Sequence, residues 1–131
     1  MNILFLIGRI ILGGYFLRAA FQHFQHLNEL TEYAKVKGTP APKLAVAASG
    51  IVLLFGGLSI LLGIATNAGI LLLVLFLLAA SFLIHSYWKD TNPEMRQIDS
   101  INFGKNIALT GALLVILFLP HPWPWSFHIG S

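Results

Sequence analysis

Long apolar stretches separated by short polar segments fill most of the chain. The four stretches cover approximately residues 2–26, 43–63, 68–88 and 101–119. A helix needs about 20 predominantly apolar residues to cross the hydrocarbon core of a bilayer, and each stretch is close to that length or longer. The pattern therefore predicts an all-α protein, a polytopic membrane four-helix bundle.

The polar segment between the first two stretches has a pattern of its own. Residues 28–37 carry Leu30 and Ala34 at helical spacing among charged side chains, with Leu27 just before them. This predicts a short amphipathic helix in the membrane interface, with Asn28 as its N-cap. The prolines of residues 38–42 then end it and start the second span.

The remaining connections are short or rich in proline. Residues 64–67 leave room only for a tight hairpin between the second and third spans. Residues 93–100 are predicted to form a short surface helix before the fourth span. The tail from residue 120 has three prolines within five residues, so it is not a regular helix, and its aromatic residues are expected in an interfacial belt (Trp123, Trp125 and Phe127).

Composition supports a lipid environment and excludes several classes of function. Hydrophobic residues make up 56% of the 131 residues and charged residues 10%, against about 25% charged in a typical soluble domain. We expect residues 1–131 to form a single transmembrane domain, because no linker separates the spans. The sequence has no cysteine, which excludes disulfides, thiolate metal sites and dithiol redox chemistry on this chain. The net charge of +3 is spread over loops and does not indicate nucleic-acid binding.

The distribution of basic residues predicts the orientation. The first and third loops are flanked by positive charges, whereas the second loop and the tail contain no lysine or arginine (the flanking residues are Lys35, Lys37, Lys43, Lys89 and Arg96). The positive-inside rule places loops one and three in the cytoplasm and both termini outside, with Arg9 as an opposing charge. Because Arg9 also interrupts the apolar run, we interpret residues 2–26 as a permanent span rather than a signal peptide.

Ionisable side chains inside the spans are the first candidates for function, because they are costly in lipid. Arg9 and His23 lie on one stripe of the first span, and Arg18 lies on its opposite side. Arg18 is expected to extend to lipid phosphates. For Arg9 four partners stay open: lipid phosphate, carbonyls of a neighbouring helix, the terminal carboxylate of Ser131, or an anionic or carbonyl-bearing ligand.

Near the predicted cytoplasmic end, polar side chains of three spans fall at a similar depth. They are His23, His85, Asn102, Lys105 and Asn106. If their stripes face inward, spans one, three and four enclose a polar pocket; otherwise these residues are hydrogen-bonded interface residues. Haem ligation by the two histidines is geometrically conceivable, but nothing else in the sequence marks a haem site. No metal site is predicted.

Six short motifs follow one another along the chain. They are GRIILGG at residues 8–14, FLRAAFQHF at 16–24, GTPAP at 38–42, GGLSILLG at 56–63, HSYW at 85–88 and KN at 105–106. Their order and spacing resemble the DoxX family of small bacterial four-span membrane proteins, from about residue 4 to 115. The resemblance implies a bundle of the bacterial inner membrane and a link to redox systems such as thiosulfate:quinone oxidoreductase. The residues that match the family's are Arg9, His23, His85, Trp88 and Asn106.

Two functions from different classes follow. The leading hypothesis is a membrane subunit of a quinone-linked redox system, working with a soluble redox partner or a larger membrane complex. Its ligand-binding residues would be His23, His85, Trp88, Lys105, Asn106 and Arg9. The rival is a non-catalytic membrane anchor or assembly protein for a soluble enzyme. A transporter is a third possibility, disfavoured because four spans without an internal repeat would need to dimerise.

Overall fold

The computed structural model describes residues 2–127, which are mostly helical and contain no strand. Five α-helices follow one another along the chain: α1 (Asn2–Gln25), α2 (Leu27–Val36), α3 (Pro42–Leu62), α4 (Thr66–Leu83) and α5 (Pro93–Leu117). A short 3-10 turn, Tyr87–Lys89, lies between α4 and α5. All but α2 are long and apolar enough to cross a membrane. The predicted all-α, polytopic four-helix bundle is confirmed.

The predicted third span, residues 68–88, falls within the candidate membrane span Thr66–Lys89. This span is not one continuous helix, because α4 ends at Leu83 and the 3-10 turn Tyr87–Lys89 follows it. Residues 93–100 are not a separate surface helix but the first turns of α5. The Asn92 side chain caps this helix, accepting hydrogen bonds from the backbone N–H groups of Glu94 and Met95 at 2.9 and 3.2 Å.

The predicted cap of α2 was also wrong. Asn28 lies inside the helix, which begins at Leu27 directly after a single turn residue, His26. No side chain caps α2 at this end. Helical hydrogen bonds continue through this turn: the N–H of His26 bonds to the carbonyl of Gln22 at 2.9 Å, and the carbonyl of His26 accepts from Leu30 N–H at 2.9 Å.

The closest helix pair is α1 and α3, and small residues make the approach possible. A Cβ atom on Gly13 would lie 2.9 Å from the carbonyl oxygen of Gly57, and one on Gly57 would lie 3.0 Å from the carbonyl oxygen of Gly13. No side chain fits between these backbones. Close packing through small residues is how helices associate in lipid, where burial of apolar surface gives little driving force.

The four spanning helices pack in the order α1, α3, α4, α5, with α2 lying against α3 and α1. Within residues 2–127, no Cα atom of α1 comes within 8 Å of one in α5. These two helices meet through side chains, and large apolar residues such as Phe16 and Leu113 fill the centre. We call the end formed by α2 and residues 84–92 the loop end, and the end formed by residues 63–65 and 118–127 the tail end.

Candidate functional site

At the tail end, Arg9 joins the C-terminal tail to α3 by hydrogen bonds. Its side chain is 3% exposed, and it donates to two carbonyl groups of α3, at Ile60 (3.1 Å) and Leu61 (2.8 Å). It also donates to two carbonyl groups of the tail, at Pro124 (2.6 Å) and Trp125 (3.1 Å). Of the four partners left open by the sequence, carbonyls of a neighbouring helix are the ones observed; Ser131 lies outside the described residues.

The tail folds back onto the bundle, and only part of its aromatic side chains is exposed as an interfacial belt would be. Trp123 was expected in the interface, but its side chain is 2% exposed, edge-on to Phe5 with ring centroids 5.5 Å apart. The ring of His121 stacks on it and contacts the Thr66 hydroxyl at 2.6 Å. Trp125 and Phe127, by contrast, are exposed. The prolines turn the chain back onto the bundle, which the sequence pattern did not indicate.

At the loop end, His23 and His85 line one cavity of about 280 Å³. We call it the histidine pocket. Its wall combines His23 of α1, Tyr33 of α2, Ser49 of α3 and Phe76 of α4 with His85, which follows α4. Most of the remaining lining is apolar. The two histidines thus line one cavity, although they are far apart in the sequence.

The other candidates do not line this pocket. The predicted wall from span four is replaced by α2 and α3, because α2 folds back under the bundle. Lys105 is exposed, with its Nζ 5.8 Å from the ring centroid of Tyr15. Asn106 is buried. Trp88 is exposed and packs against Phe103 at 5.6 Å between ring centroids.

Arg9 is remote from the pocket. It lies fourteen residues before His23 on α1, which at 1.5 Å per residue is roughly 21 Å along the helix. The structure thus brings together His23 and His85 and leaves Arg9, Trp88, Lys105 and Asn106 elsewhere on the bundle.

The hydrogen bonds of the two histidines define how each ring can act. Nδ1 of His23 lies 2.9 Å from the carbonyl oxygen of Ala19 in its own helix. Because a carbonyl only accepts, this nitrogen donates and the neutral ring has an acceptor at Nε2. Nδ1 of His85 lies 3.2 Å from a carboxylate oxygen of Asp99, which has the same consequence. Each neutral ring can therefore accept a proton at Nε2.

Asp99 is the centre of a buried polar group that the sequence reasoning missed. We call it the Asp99 cluster: Tyr33, Lys37, His85, Asp90 and Asp99. Besides His85, the Asp99 carboxylate accepts from the Tyr33 hydroxyl at 2.8 Å and from Lys37 Nζ at 2.6 Å. Lys37 Nζ also donates to Asp90 at 2.6 Å. The Asp99 side chain is fully buried, and those of Lys37 and Asp90 are about nine-tenths buried.

Burial and the neighbouring carboxylates shift the pKa values of Tyr33 in α2 and of Lys37, which follows α2. Burial by itself lowers the pKa of Lys37, but its hydrogen bonds to Asp90 and Asp99 outweigh that effect and hold the pKa above its usual value. Burial raises the pKa of Tyr33, and the neighbouring Asp99 carboxylate raises it further. At neutral pH α2 and Lys37, the residue that follows it, thus present a neutral phenol and an ammonium ion to Asp99.

A signal for the Asp99 cluster was present in the sequence. Tyr33 and Lys37 are spaced four residues apart, so they share one face of the predicted amphipathic helix. In the sequence, Lys37 contributes to the predicted orientation as a positive charge, and no role is assigned to Asp99. A carboxylate on the inward stripe of a span demands a cation, and Lys37 was available at that depth.

A second cavity lies on the other side of the cluster. This loop cavity has a volume of about 370 Å³ and is lined by eight residues (Tyr33, Val36, Lys37, Lys89, Asp90, Thr91, Asn92 and Met95). Tyr33 contributes to the walls of both cavities. Among the residues that the structure describes, no group of three or more histidines or acidic residues is arranged to hold a metal ion.

Comparison with known proteins identifies the family. The sequence profile of the DoxX family matches residues 4–86. The chain is 27% identical over 114 residues to the inner membrane protein YphA of Escherichia coli K12, covering 87% of this chain and 81% of that protein. No solved structure matches. The profile match spans three of the four membrane helices and both histidines of the pocket, and the chain belongs to the DoxX family.

Proposed function

We propose that this protein is a membrane subunit of a quinone-linked redox system and that it binds a quinone head group in the histidine pocket. The observation that carries the proposal is the pairing of His23 and His85 in one cavity of about 280 Å³ whose walls are otherwise mostly apolar. Ligand sites are typically apolar cavities of about 300 Å³ upwards with a few polar groups that fix orientation. A cavity just below the lower limit of that range suits a single substituted ring.

The position of the pocket suits a lipid-soluble ligand. Two residues of its lining, Ala79 and Leu83, lie on the exposed face of α4. In a spanning helix that face meets lipid, so a ligand with an isoprenoid chain can place its ring between the histidines while the chain stays in the bilayer. Because this opening faces lipid, it does not favour the entry of a water-soluble metabolite.

The chemistry of the two histidines fits both states of a quinone. A protonated imidazole donates a hydrogen bond to a quinone carbonyl, and a neutral one accepts a proton from a quinol hydroxyl at Nε2. Quinol oxidation releases two protons and two electrons. The histidines would take up the protons, and the electrons would pass to a partner redox enzyme; a dithiol acceptor on this chain is excluded, because it contains no cysteine.

The remaining candidates have a secondary part in this proposal. Trp88, Lys105 and Asn106 belong to the loop half of the bundle but outside the pocket lining, so they would contact a ligand only beyond the present wall. Arg9 would serve a ligand at the tail end, next to an apolar cavity of about 320 Å³. Replacement of His85 should therefore affect ligand binding more than replacement of any of these four.

We further propose the cellular setting. Residues 1–131 would form one transmembrane domain in the bacterial inner membrane, the membrane in which the Escherichia coli relative is named as a protein. Loops one and three, and with them the Asp99 cluster, would face the cytoplasm, with both termini outside. The support is the concentration of Lys35, Lys43, Lys89 and Arg96 at the loop end.

Ligand analysis of the purified protein tests the proposal. The wild type, His85→Ala and a control, His26→Ala, are purified in mild detergent, and their lipid extracts are analysed by mass spectrometry with absorption spectra of the intact protein. His26 is exposed and outside the pocket, so its replacement should change nothing. We expect quinone with the wild type and the control and little with His85→Ala. Equal quinone in all three would refute the assignment, and a Soret band would replace the quinone by haem.

The rival function, a non-catalytic anchor, has its own supporting observation. The face of α2 away from the bundle exposes Glu29, Glu32 and Lys35, a charged surface on which a soluble enzyme could dock. Under this reading the purified wild type is ligand-free and co-elutes with a soluble partner. His85→Ala would then lower thermal stability or partner recovery without a change in ligand content.

A further inference from the structure

The Asp99 cluster joins the two cavities of the loop end by a continuous series of hydrogen bonds. His85 lines the histidine pocket and bonds through Nδ1 to Asp99 at 3.2 Å. Asp99 bonds to Lys37 at 2.6 Å, and Lys37 bonds to Asp90 at 2.6 Å. Lys37 and Asp90 line the loop cavity, and His85 does not. Each end of the series thus opens into a different cavity.

The charges of the cluster leave room for one more proton. Two carboxylates, Asp90 and Asp99, face a single ammonium, Lys37, so with a neutral imidazole the group carries one net negative charge. Buried charge is costly unless it is compensated. One further proton, on His85 or on a carboxylate, makes the group neutral. Oδ2 of Asp90 is buried and receives no hydrogen bond from the described residues, so it can hold that proton.

We propose that His85, Asp99, Lys37 and Asp90 form a proton-exchange path between the histidine pocket and the loop cavity. A proton from a hydroxyl donor in the pocket binds Nε2 of His85, and the proton on Nδ1 passes to Asp99. The proton moves on to Asp90 through the shared Lys37 ammonium, which gives one of its protons to Asp90 as it takes the proton from Asp99, and then leaves to water in the loop cavity. Only N–H and O–H bonds change, no electron moves, and Lys37 has the same charge before and after the transfer.

In this path Asp99 both orients the ring of His85 and accepts its proton, and Asp90 is the exit. Asp99 keeps Nδ1 of His85 as the donor and so leaves Nε2 as the nitrogen that faces an incoming proton. Other charged or titratable groups near His85 are His23 from α1, Tyr33 from α2 and Lys105 from α5. Tyr33 lines both cavities and donates to the same Asp99 oxygen that His85 contacts, so it holds Asp99 in place beside the path.

The path rests on the proposed function for its proton donor, but the test is made without quinone. The full chain is labelled with 15N-histidine and studied by NMR in lipid nanodiscs, and the His85 signals are identified by comparison with His85→Ala. The nitrogen shifts show which ring nitrogen carries hydrogen, and exchange with water gives the rate of proton transfer. The variants are Asp99→Asn and Asp90→Asn, with Glu94→Gln as an exposed carboxylate control on α5.

We expect the wild type to carry its hydrogen on Nδ1 of His85. Asp99→Asn should weaken proton binding to this ring about tenfold, because a neutral amide no longer balances the imidazolium. Asp90→Asn should keep the same nitrogen protonated but slow exchange with water several-fold, and Glu94→Gln should change neither. Hydrogen on Nε2 in the wild type, or unchanged exchange in Asp90→Asn, overturns the path. If the NMR results hold while no quinone binds, the path stands and the quinone proposal fails.

Discussion

Replacement of Arg9 by lysine tests whether this residue is a structural fastener or a plain surface charge. The guanidinium makes four hydrogen bonds from three nitrogens, two to α3 and two to the tail. Lysine keeps the positive charge but offers three donors from a single atom. The single ammonium nitrogen cannot span the carbonyl groups that the planar guanidinium reaches with three nitrogens. Lysine therefore loses at least one of the four hydrogen bonds.

The expected loss of stability follows from those contacts. A hydrogen bond from a charged donor contributes about 1.5–3 kcal/mol. Water at this end of the bundle can rebond part of what is lost, which reduces the net effect. We therefore expect Arg9→Lys to lower the free energy of unfolding by about 2 kcal/mol, roughly a thirtyfold change in the folding equilibrium.

Arg18→Lys provides a matched control, because Arg18 is on the same helix but exposed. Reversible unfolding in mixed detergent micelles, followed by tryptophan fluorescence, gives the free energies. The signal is informative because Trp123 packs beside Arg9, with the guanidinium carbon 5.7 Å from the ring centroid. The two lysine variants should differ clearly. If Arg9→Lys is as stable as Arg18→Lys, Arg9 does not hold the tail and the reasoning is wrong.

Two further predictions concern packing and ionisation. Gly13→Ala should lower the free energy of unfolding by about 1–3 kcal/mol, because its Cβ would meet the backbone of α3 at 2.9 Å. Gly8→Ala, where a Cβ meets nothing within 4 Å, should be neutral or stabilising in the same denaturant titration, and equal losses would contradict the packing argument. Tyr33→Phe should cost about 1 kcal/mol at neutral pH. Since the pKa of Tyr33 is raised in the fold, its contribution falls as the pH rises above about 10, so the variant should lose less stability than the wild type between neutral and alkaline pH.

The number and type of the spans could be predicted from the sequence, because lipid imposes a length and a composition on every spanning helix. The ends of the helices were less predictable. Residues 84–88 belong to the apolar stretch of the third span, but α4 ends at Leu83 and the chain turns there. Asn92 and Pro93 are a strong helix start, and they begin α5 eight residues before the apolar run. Hydropathy predicts which residues lie in the hydrocarbon core of the bilayer, whereas capping residues predict where a helix begins.

The site was predicted in part for a similar reason. Periodicity assigned His23 and His85 to inward stripes at one depth, and depth was enough to bring them together. It assigned Lys105 and Asn106 to the same depth as well. Which helices become neighbours depends on details such as the approach of Gly13 to Gly57, and periodicity carries no information about such pairs. The fold-back of α2, which puts a wall between the pocket and α5, was likewise invisible.

The two ends of the bundle show that the Asp99 cluster contains more charge than fastening requires. At the tail end a single cation, Arg9, joins two segments through neutral carbonyl groups. At the loop end the equivalent task of holding α2 needs only Lys37 and one acceptor, yet a second buried carboxylate and a histidine are present. Each extra buried charge costs free energy, and an apolar pair of similar volume would hold the helix as well. Proton transfer requires a histidine that lines a cavity and is hydrogen-bonded to this additional charge. Anchoring of the helix requires neither.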